Sequence, residues 1–181
     1  IMEHLVYNNI DVVFGGGARH LIPKGDSYTP TFSNPADPVA WGGKRTDGEN
    51  LMQVLLDRGY SFVDNADDMM ALTSGPAWGL FDDSHLDPDM DRGTFNPHQP
   101  SIAEMTSKAI ELLSQNHRGF FLMVEGSQVD WAGHNNDPAY MVTDFIAFDD
   151  AVKVATDFAA EDDQTIVMAY PDHNTGGMKI G

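Results

Sequence analysis

The sequence predicts an α/β protein with a mainly parallel β-sheet sandwiched between helices. Three observations carry that prediction. Helical and strand-length apolar segments alternate along the chain, the order expected of a parallel sheet with covering helices. Phe120 to Val124 and Thr165 to Ala169 are apolar at nearly every position, as strands buried on both faces are. Carboxylates and imidazoles follow directly after those two runs, where open α/β sheets bind ligands.

The elements follow in order. Ile1 to Asn8 reads as the tail of a helix whose apolar pattern is already running. Ile10 to Phe14 is a β-branched strand run that stops at Gly15, Gly16 and Gly17. Gly25 to Lys44, rich in Pro, Ser, Asn and Asp, reads as an irregular loop. Asp47 to Arg58 is a predicted helix, with Asp47 as N-cap, Leu51, Val54 and Leu55 on one face, and Gly59 at C′. Tyr60 to Val63 is a short strand, and Asp67 to Ala71 a helical turn. Ser74 to Pro100 reads as loop, carrying the acidic cluster Asp82, Asp83, Asp87, Asp89 and Asp91.

Ser101 and Glu104 form a capping box after Pro100, opening a helix that ends near Asn116. The Phe120 to Val124 strand comes next. Asp137 and Pro138 then suit N-cap and N1 of a helix whose apolar stripe runs from Met141 to Phe158 or Ala159. Thr165 to Ala169 is the last strand. No internal repeat and no interdomain linker is visible, so 181 residues fit one domain or a large piece of one.

Composition narrows the function. The chain holds 28 acidic and 10 basic residues, a net charge of −18, with 22 Asp against 6 Glu. Such a surface disfavours nucleic acid and anionic membranes, and no apolar run approaches the roughly 20 residues of a membrane span. With no cysteine, thiolate metal sites and thiol nucleophiles are excluded. Most of the acidic charge reads as a solvated surface.

Two turns stand out. One is Glu125-Gly-Ser-Gln-Val-Asp130-Trp-Ala-Gly-His134, and the other is Asp172-His173-Asn-Thr-Gly176-Gly177. Asp130 and His134, four apart, share a face if the segment is helical. Asp172 and His173 are adjacent and need a bend to serve one ion. Carboxylate oxygen and imidazole nitrogen are zinc donors, while Glu125, without a neighbouring imidazole, suits a hard ion such as Mg²⁺. Either motif alone is more often structural than metallic, and it is their placement after two buried strands that points to a shared metal site. His4, His20, His85, His98 and His117 read as surface or capping residues. The acidic loop from Asp82 to Asp91 lacks the Gly and Glu spacing of an EF-hand and reads as solvated, with Ca²⁺ as the alternative.

These segments resemble the alkaline phosphatases. Asp11-Val-Val-Phe-Gly-Gly-Gly, Arg45-Thr-Asp-Gly-Glu-Asn-Leu, Pro100-Ser-Ile-Ala-Glu-Met-Thr, the stretch from Gly119 to His134, Phe148-Asp-Asp-Ala-Val and Asp172-His173 are similar to that family in order and spacing. The E-G-S-x-x-D-x-x-x-H pattern sets it apart from phosphodiesterase and sulfatase relatives.

The resemblance implies phosphomonoester hydrolysis through a phosphoserine intermediate, with two Zn²⁺ and one Mg²⁺. By resemblance Glu125 binds Mg²⁺. Asp130 and His134 hold the zinc that activates water, and Asp172 and His173 hold the zinc that activates the serine. Trp131 lies where the family varies a residue near phosphate and metal. The family's nucleophile, shared aspartate, Mg²⁺-binding threonine and phosphate-binding arginine have no match here. Ser127, Arg19, Arg45 and Arg118 do not stand in for them, and the last zinc histidine falls past Gly181. The chain is therefore expected to be an internal fragment, residues 1–181 forming the central and C-terminal part of one incomplete alkaline phosphatase-like domain. It is expected to be inactive alone, or else a non-catalytic metal-binding piece. The resemblance further implies phosphomonoester substrates and inorganic phosphate as partners, a homodimer for the full-length protein, and a periplasmic or secreted location.

Overall fold

A computed structural model describes residues 1–177. These residues fall into two compact units. The first comprises residues 1–86, 98–100 and 111–120, and the second residues 87–97, 101–110 and those from 121 onward.

The first unit is built on a parallel three-stranded sheet. Its strands are β1 (Val12–Gly15), β4 (Ser61–Val63) and β5 (Ala77–Leu80), in the order β1-β5-β4. Val12 pairs with Ala77 on one side of β5, and Ser61 pairs with Ala77 on the other. A small antiparallel pair, β2 (Ser27–Tyr28) and β3 (Trp41–Gly42), lies inside the predicted loop. Helices α1 (Met2–Tyr7) and α2 (Leu51–Asp57) pack together, and α2 also packs on β4. Val6, Leu51, Leu55, Trp78 and Leu80 make the buried core.

The central strand was not predicted. Residues 74–100 read as loop, yet β5 is buried along its whole length. It is only four residues long, follows Pro76, and contains Ala and Gly where a sequence reading looks for β-branched residues. Gly79 is there for room, since a Cβ would meet the rings of Phe81 and Phe14. Residues 66–71 form α3 (Ala66–Ala71), capped by the Asn65 side chain, which accepts from the Asp68 N–H at 2.8 Å.

The cap of α2 is also corrected. Asn50, not Asp47, is the N-cap, and its side-chain oxygen accepts from the Gln53 N–H at 3.1 Å. Asp47 instead closes a turn, accepting from the Glu49 N–H at 3.1 Å and pairing with Arg45. Gly59, at φ +82°, is the left-handed residue after α2 that the sequence suggests. At the end of β4, the fully buried Asp64 accepts from the Tyr28 hydroxyl at 2.5 Å and the Thr31 N–H at 2.8 Å. That carboxylate ties the Pro-rich loop to the sheet, and burial first, then the hydrogen bond to Asp64, pushes the Tyr28 hydroxyl pKa strongly upward.

The second unit is helical. Its elements include α4 (Asp89–Phe95), α6 (Ser127–Asn135) and the long α7 (Pro138–Asp162). Helix α5 (Ile102–Leu113) belongs to it up to Ile110. The capping box forms as predicted: Glu104 accepts from the Ser101 N–H at 2.7 Å, and Ser101 accepts from the Glu104 N–H at 3.2 Å. Asp137 caps α7, accepting from the Ala139 and Tyr140 N–H groups at 3.0 and 3.1 Å. The 25 residues of α7 span about 37 Å.

Helix α4 falls in the segment predicted as loop. Four of its seven residues, Asp89, Asp91, Gly93 and Thr94, are poor helix formers, so tertiary contact carries it. It packs on α7, where Asp144 accepts from the Asp89 N–H at 3.2 and 3.3 Å.

Asp144 is only 8% exposed. Burial pushes its carboxyl above the ordinary range; the Asp89 N–H opposes the shift and the Asp89 charge adds to it. The neighbouring Tyr140 hydroxyl is pushed up to about 12, by burial first and then by Asp144, Asp137, Asp87 and Asp91. A carboxyl with a raised folded pKa binds its proton more tightly folded than unfolded. Its contribution to stability is present at low pH and is lost as pH rises from the ordinary value near 4 through the raised one. Asp144→Asn keeps an acceptor for Asp89 and removes the charge. The variant is expected to be more stable near neutral pH, by on the order of 0.5–1 kcal/mol, with the gain shrinking towards about pH 4. Urea midpoints at the two pH values check this.

Two predicted strands do not form. Residues 120–124 and 165–169 are not among the strands of the described residues. Their side chains still alternate, with Leu122, Val124, Thr165 and Val167 partly covered and their neighbours open. Phe121 is 87% exposed and Ile166 85%. A strand exists only through hydrogen bonds to a second strand, so the apolar pattern is present without the pairing that would complete it. Among the described residues, no helix is long and apolar enough to cross a membrane.

Candidate functional site

All six residues singled out by the sequence lie in the second unit. Glu125 is exposed, one residue ahead of Gly126, which caps α6. Asp130, Trp131 and His134 are on α6 itself. Asp172 and His173 are in the turn that follows residues 165–169.

Local packing fixes α6. A Cβ on Gly126 would meet the Phe148 ring of α7 at 2.8 Å, so only glycine lets the helix start so close to its neighbour. The Tyr140 hydroxyl of α7 donates to the Gln128 side chain of α6. The helix is real, and the i, i+4 spacing therefore puts Asp130 and His134 on one face, with Asp130 Oδ2 3.5 Å from His134 Nε2. In the turn, Asp172 Oδ2 is 3.6 Å from His173 Nε2, and Asp172 Oδ1 accepts from the His173 N–H at 3.0 Å.

The turn lies against α6. A Cβ on Gly133 would meet the Thr175 carbonyl oxygen at 2.8 Å, and one on Gly176, whose φ is +75°, would run into the Gly133 carbonyl. Two glycines thus let two backbones touch. The contact carries Thr175 over Asp130, and the Thr175 hydroxyl donates to Asp130 Oδ1 at 2.5 Å. The same oxygen is 3.0 Å from His173 Nδ1. Asp130 and His173, 43 residues apart in sequence, are joined through one hydroxyl. Sequence reasoning passed over Thr175; its position two residues after His173 was the available signal.

The donor spacing suits a metal. Two ligands about 2.05 Å from a tetrahedral zinc sit roughly 3.3 Å apart. The two Asp–His separations, 3.5 and 3.6 Å, are close to that. Both pairs are open to solvent, the His134 side chain at 70% and the Asp172 side chain at 86%. Among the described residues, no group of three or more His, Asp or Glu is arranged to hold a metal ion. Each pair fits half of a zinc shell. Trp131, 43% exposed, stands beside Asp130 on α6.

Of the five other histidines, His4, His20, His85 and His117 are exposed, as expected. His98 differs: its ring stacks on Phe32 at 3.6 Å, and its carbonyl accepts from the Ala66 N–H. A cavity of about 590 Å³ opens in the first unit, lined among others by Phe14, His20, Lys44 and Arg45, and contains none of the six site residues.

Comparison with known proteins converges. The family model described as "Alkaline phosphatase" matches residues 1–181. Alkaline phosphatase 3 of Bacillus subtilis is 43% identical over 149 residues, covering 80% of this chain and 31% of that protein. The alkaline phosphatase of Escherichia coli is 32% identical over 196 residues, covering 96% and 38%. Among solved structures, the alkaline phosphatase of Thermus thermophilus superposes with a TM-score of 0.70 at 28% identity, covering 88% of this chain and 30% of that one. A TAB5 alkaline phosphatase variant with Mg bound in its M3 site superposes with a TM-score of 0.67 at 26% identity, covering 89% and 40%. The chain spans about a third of the length of the curated relatives it matches. With motifs, fold and full-length match in agreement, the chain belongs to the alkaline phosphatase family.

Proposed function

We propose that this chain supplies part of the metal site of a phosphomonoesterase that works through a phosphoserine intermediate. It does so as the central and C-terminal part, residues 1–181, of one phosphatase domain. The observation that carries the proposal is that two Asp–His pairs, each at zinc-donor spacing, are linked through the Thr175 hydroxyl.

Asp130 and His134 would hold one Zn²⁺, Asp172 and His173 the other, and Glu125 the Mg²⁺. Zinc held there would supply Lewis-acid stabilisation of the negative charge that develops during phosphoryl transfer. The residues of α6 and the turn present carboxylate and imidazole donors from elements held by backbone contact. Trp131 would form part of the wall near phosphate, where it adds ring surface and no charge. A serine oxygen would displace the alcohol from phosphorus, and water would then displace the serine and release inorganic phosphate. Phosphomonoesters are the proposed substrates. A homodimer for the complete enzyme, and a periplasmic or secreted site of action, follow from the family.

The second reading is a metal-binding piece without turnover, favoured by the absence of any three-donor group among the described residues. One experiment separates the two. The matching segment of the B. subtilis relative is replaced by this chain, and hydrolysis of p-nitrophenyl phosphate is measured with Zn²⁺ and Mg²⁺. The graft is expected to turn over and the isolated 181-residue chain is expected not to. A folded but inactive graft would favour the second reading. Turnover by the isolated chain would show that the ligands present suffice. Elemental analysis of the graft is expected to give about two zinc per chain.

A further inference from the structure

Thr175 sits between the two Asp–His pairs, and its hydrogen bonds have a definite direction. A threonine hydroxyl has one proton to give and lone pairs to receive. The Thr175 hydroxyl donates that proton to Asp130 Oδ1, at a separation of 2.5 Å, the short end of O–H···O hydrogen bonds. The second contact, to His173 Nδ1 at 3.0 Å, must then run the other way, with the ring N–H donating to the Thr175 oxygen. A neutral imidazole with its proton on Nδ1 leaves Nε2 with a free lone pair, and Nε2 is the atom 3.6 Å from Asp172 Oδ2.

We infer that Thr175 is a positioning residue: its hydroxyl fixes the His173 tautomer with Nε2 free and locks Asp130 of one pair to His173 of the other. The inference rests on the proposed metal role of those pairs. It adds a residue that touches no metal and acts by aiming two that do. Partners of this kind orient ligating side chains, and their loss costs about 10–100-fold in metal affinity. The Gly133–Gly176 contact is what delivers the hydroxyl, because it brings the Thr175 backbone onto α6. Thr175 thereby couples the two pairs, so that displacing the turn disturbs the Asp130 donor as well as the His173 donor.

The test uses the full 181-residue chain and the variants Thr175→Val and Thr175→Ser. Nitrogen-15 NMR of the imidazoles is recorded without metal near pH 8, above the ordinary histidine pKa of about 6.5, with His173 assigned through His173→Gln. His173 is expected to be Nδ1-protonated in the parent and in Thr175→Ser, and to shift towards the Nε2-protonated form in Thr175→Val. Zinc titration by calorimetry is expected to show affinity about 10–100-fold weaker in Thr175→Val and within a few-fold of the parent in Thr175→Ser. An unchanged tautomer in Thr175→Val overturns the inference, as does a full loss of zinc affinity in Thr175→Ser. If the parent does not bind zinc, the metal role of the pairs fails, and the tautomer result still decides whether Thr175 holds His173. Far-UV circular dichroism of each variant guards against simple misfolding.

Discussion

Asp130→Ala in the active graft is expected to lower kcat/KM for p-nitrophenyl phosphate by about a thousandfold, which corresponds to roughly 4 kcal/mol. The size follows from the chemistry that the side chain supports. Metal stabilisation of transition-state charge is worth several kcal/mol, and Asp130 is one of the two zinc donors proposed on α6. The loss should appear in kcat and in zinc content together, because the ligand is removed and not the substrate contact. Asp26→Ala, an exposed carboxylate in the first unit, is the matched control and should leave both unchanged. A graft that kept its activity after Asp130→Ala would remove α6 from the site.

The second large effect is on stability. Trp78→Ala is expected to cost about 3–5 kcal/mol. Trp78 lies in the middle of β5, fully buried, between β1 and β4. Its loss opens a cavity that three strands cannot collapse to fill. Trp78→Phe separates volume from polarity. The buried indole N–H has no acceptor among the described residues, so its removal forfeits no hydrogen bond, and the cost should fall to about 1–2 kcal/mol. Urea unfolding followed by circular dichroism, which does not depend on tryptophan emission, checks both. A cost for Trp78→Ala below that for Trp78→Phe would contradict the placement of β5 at the sheet centre.

Much of the chain was legible in its sequence for local reasons. Caps and turns declare themselves within a few residues, so Asp137, the Ser101–Glu104 box and Gly59 appear where they were expected. The Asp130–His134 pair was legible because helical spacing depends on backbone geometry alone. What escaped depends on distant partners. β5 is a strand because two neighbours pair with it, and its own residues give little hint of that. α4 is held by Asp144, 55 residues away from Asp89. The opposite error has the same origin: residues 120–124 and 165–169 have strand sequences, and no described strand lies beside them. Thr175 escaped because its placement over Asp130 comes from the Gly133–Gly176 contact, and its position two residues after His173 was only a faint local hint of it.

The exposed apolar side chains of those two segments bear on how the chain behaves in solution. Phe121, Met123, Ile166, Met168 and Tyr170 stand open to water, and exposed apolar surface of this kind favours association with other chains. Opposing this is a surface carrying 18 more negative than positive charges, which makes any two copies repel. The acidic excess therefore acts as a colloidal brake on self-association. It weakens in concentrated salt as screening shortens the range of repulsion, and it vanishes as the solution approaches the isoelectric point near pH 4.3.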